Sequence, residues 1–436
     1  MTFYRPQIDG VAVELDVAVT FDPLKYHVRG RDGCFDSMSE ESIKLRLRSM
    51  GLSTKVSKKA DLSPVEVCLL AYQTNNKADA FGSLSGHRPG LFEMGGRRFL
   101  VTDDARPTKP SPGEWPTLNA LLTQLFGEEQ LPFFIGWLRQ ARRSVSGTTM
   151  LPGHVVVLCG RHGIGKSFLQ SQVITPMIGG RQTCPFDYMA GVSNFNGELF
   201  GADHLAVEDK FFKWDMDTRR KFGTHLKELA VNHVQRCHFK GKTPVSVTPK
   251  WRITISLNPE RENLNVLPPL DDSIKEKLMM FYLNEPTCLP TDEDRERWGA
   301  AIHAELPAFA YAVDSFTLPT GLEHSRYGVK EYHSPRILEQ LEGGSTEELF
   351  LDCLLHDLPG IVPTGATTWE GTSTDLERVM LAPLMPSRET SRKILSWPGA
   401  AGTQLGRLSR QHADSIVRKK VKGVTRWTIK LSRPDE

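Results

Sequence analysis

The chain has 436 residues, 39% hydrophobic and 24% charged, with 36 glycines, 28 prolines and a formal net charge of +2. At roughly 100–200 residues per domain this length predicts two to four units with at least one sizeable core, and the composition excludes collagen, extended disorder and coiled coil. No apolar run approaches the ~18 residues that cross a bilayer, and MTFYRPQIDG lacks a basic flank before an apolar stretch, so no membrane segment and a cytoplasmic location are expected.

Residues 11–30 alternate apolar and polar as strands do, and Leu91 to Thr102 reads as a hairpin turning at Gly95-Gly96. Between them SEESIKLRLRSMG has apolar residues at helical spacing behind a Ser cap and closes on Gly51. Residues 1–104 are therefore predicted to form a small α+β domain. It ends in the proline-rich ARPTKPSPGE, so 105–116 is read as a linker.

Helical patterns cover Thr117 to Phe126 and Leu131 to Ser144, and an apolar strand runs from His154 to Cys159. From there apolar strands and helical patterns alternate, as in a parallel sheet covered by helices, which gives a core domain at 117–320 and a connector at 321–344. Over 345–436 three helices are expected, Thr346 to His356, Asp375 to Leu381 and Thr403 to Val417, then a strand pair around Gly423; that is the order of a winged helix. From Ser387 onward twelve Lys or Arg face four acids, an excess that suits an anionic partner, though a solvated basic face has the same composition.

Seven scattered cysteines with no C-x-x-C pair read as thiols, neither a disulfide framework nor a zinc site. His303 and Glu305 form H-x-E without the P-C-x-x-C of a zinc deaminase.

Gly160-Arg161-His162-Gly163-Ile164-Gly165-Lys166-Ser167 fits G-x-x-x-x-G-K-[ST], with a strand before it and a helical pattern after it. The glycines turn backbone N–H groups inward around ATP phosphates, Lys166 reaches the β and γ phosphates, and Ser167 offers its hydroxyl to Mg2+. A merely connecting glycine turn has no need of Lys and Ser there. The strand HLAV leads into Glu208 and Asp209, which supply the acids such a site needs: Glu208 on the metal side and Asp209 activating water, a division left open. The strand TPKWRITISLNPE ends in Asn258, whose amide can orient the attacking water. Lys240 and Lys242 flank Gly241 on a predicted hairpin tip, a geometry that suits DNA phosphates and also an ordinary polar turn.

Taken in order, these residues resemble the superfamily 3 helicases, in particular the ATPase region of phage and plasmid primase-helicase proteins. Gly160 to Asn258 spans 99 residues, and FNGELFGADHLAVED followed by LKELAVNHVQRCHFKGKTPVSVTPKWRITISLNP is similar to the family's block. The resemblance implies an AAA+-like P-loop core, a homo-hexameric ring, and ATP-driven translocation on DNA, with single-stranded DNA at Lys240 and Lys242 inside the ring. The family's trans-acting basic pair falls on Lys275 and Lys277; lysine is a point charge, so Arg219, Arg220 or Arg261 are further candidates for that cation. No primase domain precedes the core, so any primase is expected to be a separate protein.

The leading expectation is an ATP-dependent DNA helicase or translocase serving replication of a phage, plasmid or other mobile element. Its winged helix would take duplex DNA through Arg407, Arg410, Arg418, Lys419, Lys420 and Arg426, with Gln404 to Val417 as recognition helix and Lys419 to Arg426 as wing. The alternative is an ATP-controlled DNA-binding switch or scaffold, for example in phage defence, without strand separation. A small-molecule kinase shares the phosphate loop but leaves the basic C-terminus unexplained.

Overall fold

The computed structural model describes residues 2–431 apart from 59, 148–149, 209–215, 240–243, 265, 269, 271, 343–345, 364 and 422; at 216, 217, 220, 261, 262, 272, 273, 342, 346, 348 and 411 it describes the backbone alone. The chain forms two compact units: 1–209 with 224–258 and 270–333, and 210–223 with 259–269 and 334–436.

After a short antiparallel pair, Gln7–Ile8 with Val11–Ala12, the first unit has an antiparallel sheet of β1 (Val17–Phe21), β2 (Leu24–Arg29) and β3 (Phe35–Met38). Against it lie α1 (Glu40–Ser49), capped by Ser39, and α2 (Pro64–Asn75), which sequence periodicity misses. Val17, Val19, Tyr26 and Val28 pack on Ile43, Leu47, Cys68 and Tyr72 to close this small core. A second sheet joins β4 (Ala80–Gly82), β5 (Gly90–Met94) and β6 (Arg97–Val101). Its hairpin turns at Gly95 and Gly96, whose φ values of +57° and +73° are those a tight two-residue turn demands.

The expected linker has no helix or strand, yet it is fastened: Arg106 N–H donates to Gly179 O, Thr108 N–H to Pro176 O and Ser111 N–H to Pro307 O, and the Arg142 guanidinium donates to Thr108 O. The two helices predicted next run together as α3 (Pro116–Ser146), kinked where Gly127 takes φ 66°. Then come β7 (Val155–Cys159), α4 (Lys166–Phe168), a π turn (Leu169–Ile174), α5 (Thr175–Ile178), β8 (Gln182–Thr183) and β9 (His204–Val207). They are followed by α6 (Met216–Val231), the hairpin β10 (Gln235–Cys237) and β11 (Val245–Val247), then β12 (Arg252–Leu257), β13 (Leu278–Tyr282) and α7 (Arg295–Ser315). Five strands make one parallel sheet in the order β8-β9-β12-β7-β13, flanked by helices, so the fold is mixed α/β. The π turn precedes Pro176, which has no N–H for the regular i−4 bond.

Asp203, fully buried, ties the two parts of this unit. It accepts Nε and Nη2 of Arg181 at 2.8 and 2.9 Å and the N–H of Gly86 at 3.0 Å, while Arg181 Nη1 reaches Asp103 at 2.8 Å.

In the second unit α8 (Thr346–Asp357), β14 (Thr368–Gly371), α9 (Ser373–Met380), α10 (Arg388–Ile394) and α11 (Ala400–Gln411) precede β15 (Ile416–Val421) and β16 (Val424–Lys430). Its sheet has the order β14-β16-β15. The helix expected over Thr403 to Val417 is corrected: it ends at Gln411, and Ile416 and Val417 are already strand. Ile416 pairs with Ile429 and is buried with it and Trp427, so cross-strand packing of β-branched residues prevails over the helical pattern. The strand pair around Gly423 accordingly begins at Ile416, ahead of the predicted start. β14 and α10 were not predicted.

All seven cysteines are unbridged, and among the described residues no helix is long and apolar enough to cross a membrane.

Candidate functional site

The strands of the large sheet run parallel, so their C-terminal ends share one edge, where ligands gather in open α/β sheets. Gly160 directly follows β7, Glu208 follows β9 and Asn258 follows β12, and β12 lies between the other two. The loop after β7 is drawn tight: Gly160 N–H donates to Leu257 O at 3.1 Å, and a Cβ on Gly160 would stand 2.5 Å from Ile164 Cδ1. Gly163 and Gly165 take φ of +81° and +94°. Ile164, only 2% exposed, roots the loop in the core below. Lys166, 7% exposed, donates from Nζ to Gly160 O at 2.6 Å, Arg161 O at 2.8 Å and Asn258 Oδ1 at 2.8 Å.

A cavity of about 670 Å3 opens over these groups; Gly163, Gly165, Lys166, Ser167, Glu208 and Asn258 all line it. A glycine loop that leads into a helix N-terminus can receive a phosphate chain. The cavity also has an apolar lining of Leu121, Phe168, Leu289, Pro290 and Trp298, the rings of Phe168 and Trp298 4.9 Å apart. Arg295 also lines the cavity and pairs with Asp292 at 2.6 Å. Sequence reasoning missed this wall, because its members lie on three segments that only the fold brings together. Asp209 lies outside the described residues.

Behind the loop a buried polar circuit joins the three elements that carry the site. Gln170 Nε2 donates to Thr254 Oγ1 at 2.7 Å, Thr254 Oγ1 lies 2.8 Å from His204 Nε2, and His204 Nδ1 lies 2.7 Å from Thr175 Oγ1, which donates to Gln170 O at 2.8 Å. Burial presses the His204 pKa down to about 3, so the ring is neutral. A neutral ring protonated at Nδ1 satisfies every link, taking the Thr254 hydroxyl proton at Nε2 and donating to Thr175.

The remaining predicted cations lie elsewhere. Lys277 O accepts from Val155 N–H, which sets Lys277 and Lys275 at the opposite, N-terminal edge of the sheet; β7 alone is about 16 Å long at ~3.3 Å per residue. Lys277 pairs with Glu276 at 2.7 Å. Arg219, 8% exposed, donates to Leu267 O at 3.2 Å, a partner inside its own unit. The side chains of Arg220 and Arg261 lie outside the described residues, as do Lys240 and Lys242, which fall between β10 and β11 in sequence. The first strand of that hairpin is braced by Asn196, which accepts from His238 N–H and donates to Arg236 O.

In the second unit Arg418, Lys419 and Lys420 lie exposed along the edge strand β15, and Lys419 pairs in register with Arg426 across the turn. Arg418 also lies over the Trp427 ring at 5.8 Å. Arg407 donates to Glu347 at 2.6 Å, and Arg410 donates from Nε to Gly406 O at 3.2 Å. Arg407 thus has an internal partner, which the sequence gives no sign of. Among the described residues no group of three or more His, Cys, Asp or Glu is placed to hold a metal ion.

No protein-family model matches the chain, and no curated protein matches it. Among solved structures it is similar to the A form apo structure of the NrS-1 C terminal region, with a TM-score of 0.54 and 15% identity over 96% of this chain and 97% of that one. It is also similar to the apo structure of NrS-1 C terminal region 305–718, with a TM-score of 0.54 and 14% identity over 96% of each chain. At such identity the likeness is one of fold.

Proposed function

We propose that this chain is an ATP-dependent DNA helicase or translocase of the superfamily 3 type, with an AAA+-like core and a C-terminal winged helix, serving replication of a mobile element. The observation that carries this reading is the 2.8 Å hydrogen bond from Lys166 to Asn258 in a cavity that Glu208 also lines. Lys166 would neutralise the β and γ phosphates, Asn258 would hold the attacking water in line, and Glu208 or Asp209 would polarise it. Ser167 and Glu208, which both line the cavity, would hold Mg2+, a cation that takes few protein oxygens beside those of phosphate and water. When bound, Mg2+ supplies charge neutralisation at the phosphates. The Leu121, Leu289 and Trp298 wall would take the base. Lys275 and Lys277, remote from their own chain's loop, would act on a neighbour's nucleotide in a ring.

A second reading, an ATP-controlled switch, is favoured by the internal partners of Arg219 and Lys277, which limit the cations a neighbour could receive. Steady-state ATP hydrolysis with and without single-stranded DNA, at a stated salt concentration, separates the two. For the helicase, DNA raises the rate severalfold and Lys166→Ala abolishes it. Hydrolysis lost in Lys166→Ala yet indifferent to DNA leaves only the switch.

A further inference from the structure

A second cavity, of about 730 Å3, shares no lining residue with the first. It opens where the β5–β6 hairpin and residues 86–88 meet the end of α3 and strand β11. Two glycines let these walls touch. Gly86, at φ +65°, would place a Cβ 2.6 Å from Lys250 Cβ, and Gly95, at φ +57°, would place one 2.8 Å from Ser246 Cβ. The N-terminal hairpin is thereby seated on the base of the β10–β11 hairpin.

The chemistry of the lining is cationic. Lys250 is 4% exposed; its ammonium donates to Gly147 O at 2.6 Å, and among the described residues no carboxylate stands within ion-pair distance. A buried cation without a counter-charge is costly unless an anion joins it, and burial already presses the Lys250 pKa down. Exposed Arg88 adds a second cation, whereas burial lowers the pKa of half-buried His87, whose ring stands edge-on to Phe92 at 5.4 Å. Among the described lining residues Glu93 is the single carboxylate.

Cations beside an aromatic ring in an open groove are the means by which proteins hold single strands, phosphate on the charges and base on the ring. A cavity within the roughly 300–1,000 Å3 range of small-ligand sites takes one or two nucleotides and not a duplex. A free nucleoside triphosphate would call for the glycine loop and helix N-terminus that the first cavity has and this one lacks. We propose that this second cavity binds one or two nucleotides of a single DNA strand, phosphate on Lys250 and Arg88 and base on Phe92, beside the base of the β10–β11 hairpin. It rests on the reading that the chain acts on DNA. Its role would be to keep hold of the strand while the first cavity turns over.

The test is fluorescence anisotropy of a labelled oligothymidylate on the full chain without nucleotide, at several salt concentrations, with binding of a fluorescent ATP analogue measured in parallel. Phe92→Ala should weaken DNA binding about tenfold, as expected for one lost stacked base. Arg88→Ala should reduce the salt slope by about one. Phe92→Leu, which keeps the apolar volume, covers the case in which the alanine variant melts. Analogue affinity should not move in any of them. DNA affinity unchanged in all three variants but reduced by Lys240→Ala overturns this site and leaves the DNA reading intact. Competition by free thymidine monophosphate, at an affinity close to the oligonucleotide's, overturns the strand in favour of a small ligand. A wild-type chain that binds no DNA sinks both.

Discussion

Lys166 and His204 show how single residues set the chemistry of the first cavity. Lys166 is buried between the carbonyls of its own loop and the amide of Asn258, so the cation and the proposed water-orienting group are linked directly. His204 works one layer below and holds the strands and helix that carry them. Its folded pKa of about 3 lies below the ~6.5 of an unfolded histidine, so between those values the unfolded chain binds the proton preferentially. The stability from this ring is therefore complete above pH ~6.5 and is lost as pH falls toward 3, at up to about 1.4 kcal/mol per pH unit. His27 and His154, held near 4 and 3 by burial, act in the same direction. We expect His204→Gln to flatten the fall in melting temperature between pH 6.5 and 4.5; equal slopes in variant and wild type would show that the ring is not the titrating group.

Among elements, the connection between the N-terminal sheets and the parallel sheet, within one unit, depends on Asp203. It lies just before β9 and is fully buried, and Gly179 passes so close that a Cβ there would stand 2.3 Å from its carboxylate. Asp203→Ala strips Arg181 of its two-pronged partner and should cost about 3–5 kcal/mol in a urea melt, with Asp203→Asn milder because the amide still accepts from Gly86. No sequence pattern pointed to this residue, since a buried Asp between strands looks like any loop acid. Strands β7 and β9 were legible as short, mostly apolar runs and β12 as an alternating one, each next to a chemical marker. By contrast, α2 hides its period: Val65, Leu69 and Tyr72 are buried while Val67 and Leu70 are exposed, so apolar residues face every side. Its one clear signal was the capping box of Ser63 and Glu66, which sequence reading passed over. The predicted helix end at Val417 fails for the opposite reason: the helical pattern runs on across residues whose burial is decided by pairing with β16.

At the level of the whole molecule, the C-terminal basic excess was legible as charge, whereas its distribution over edge strand and helix was not. Phe350, Leu354, Leu376, Leu405, Ile416 and Trp427 form a core confined to the second unit, so a fragment of residues 346–431 should melt cooperatively by itself. Exposed lysines on an edge strand also discourage strand-to-strand association, so the charge has two possible uses. Lys419→Glu with Lys420→Glu in that fragment should weaken duplex DNA binding and make its salt dependence shallower. Self-association of a Lys419→Ala, Lys420→Ala fragment with no change in DNA affinity would assign the lysines to edge protection instead. A last consequence concerns residues 105–114, whose prolines led them to be read as a spacer. Arg106 and Thr108 are bonded to Gly179 and Pro176, at the far end of the helical run that starts with Lys166 about 20 Å away. Slack chain would absorb any shift of that run; a fastened strut passes it on. Lengthening this segment should therefore weaken that transmission to the N-terminal sheets, while the Asp203 tie and the fold stay intact.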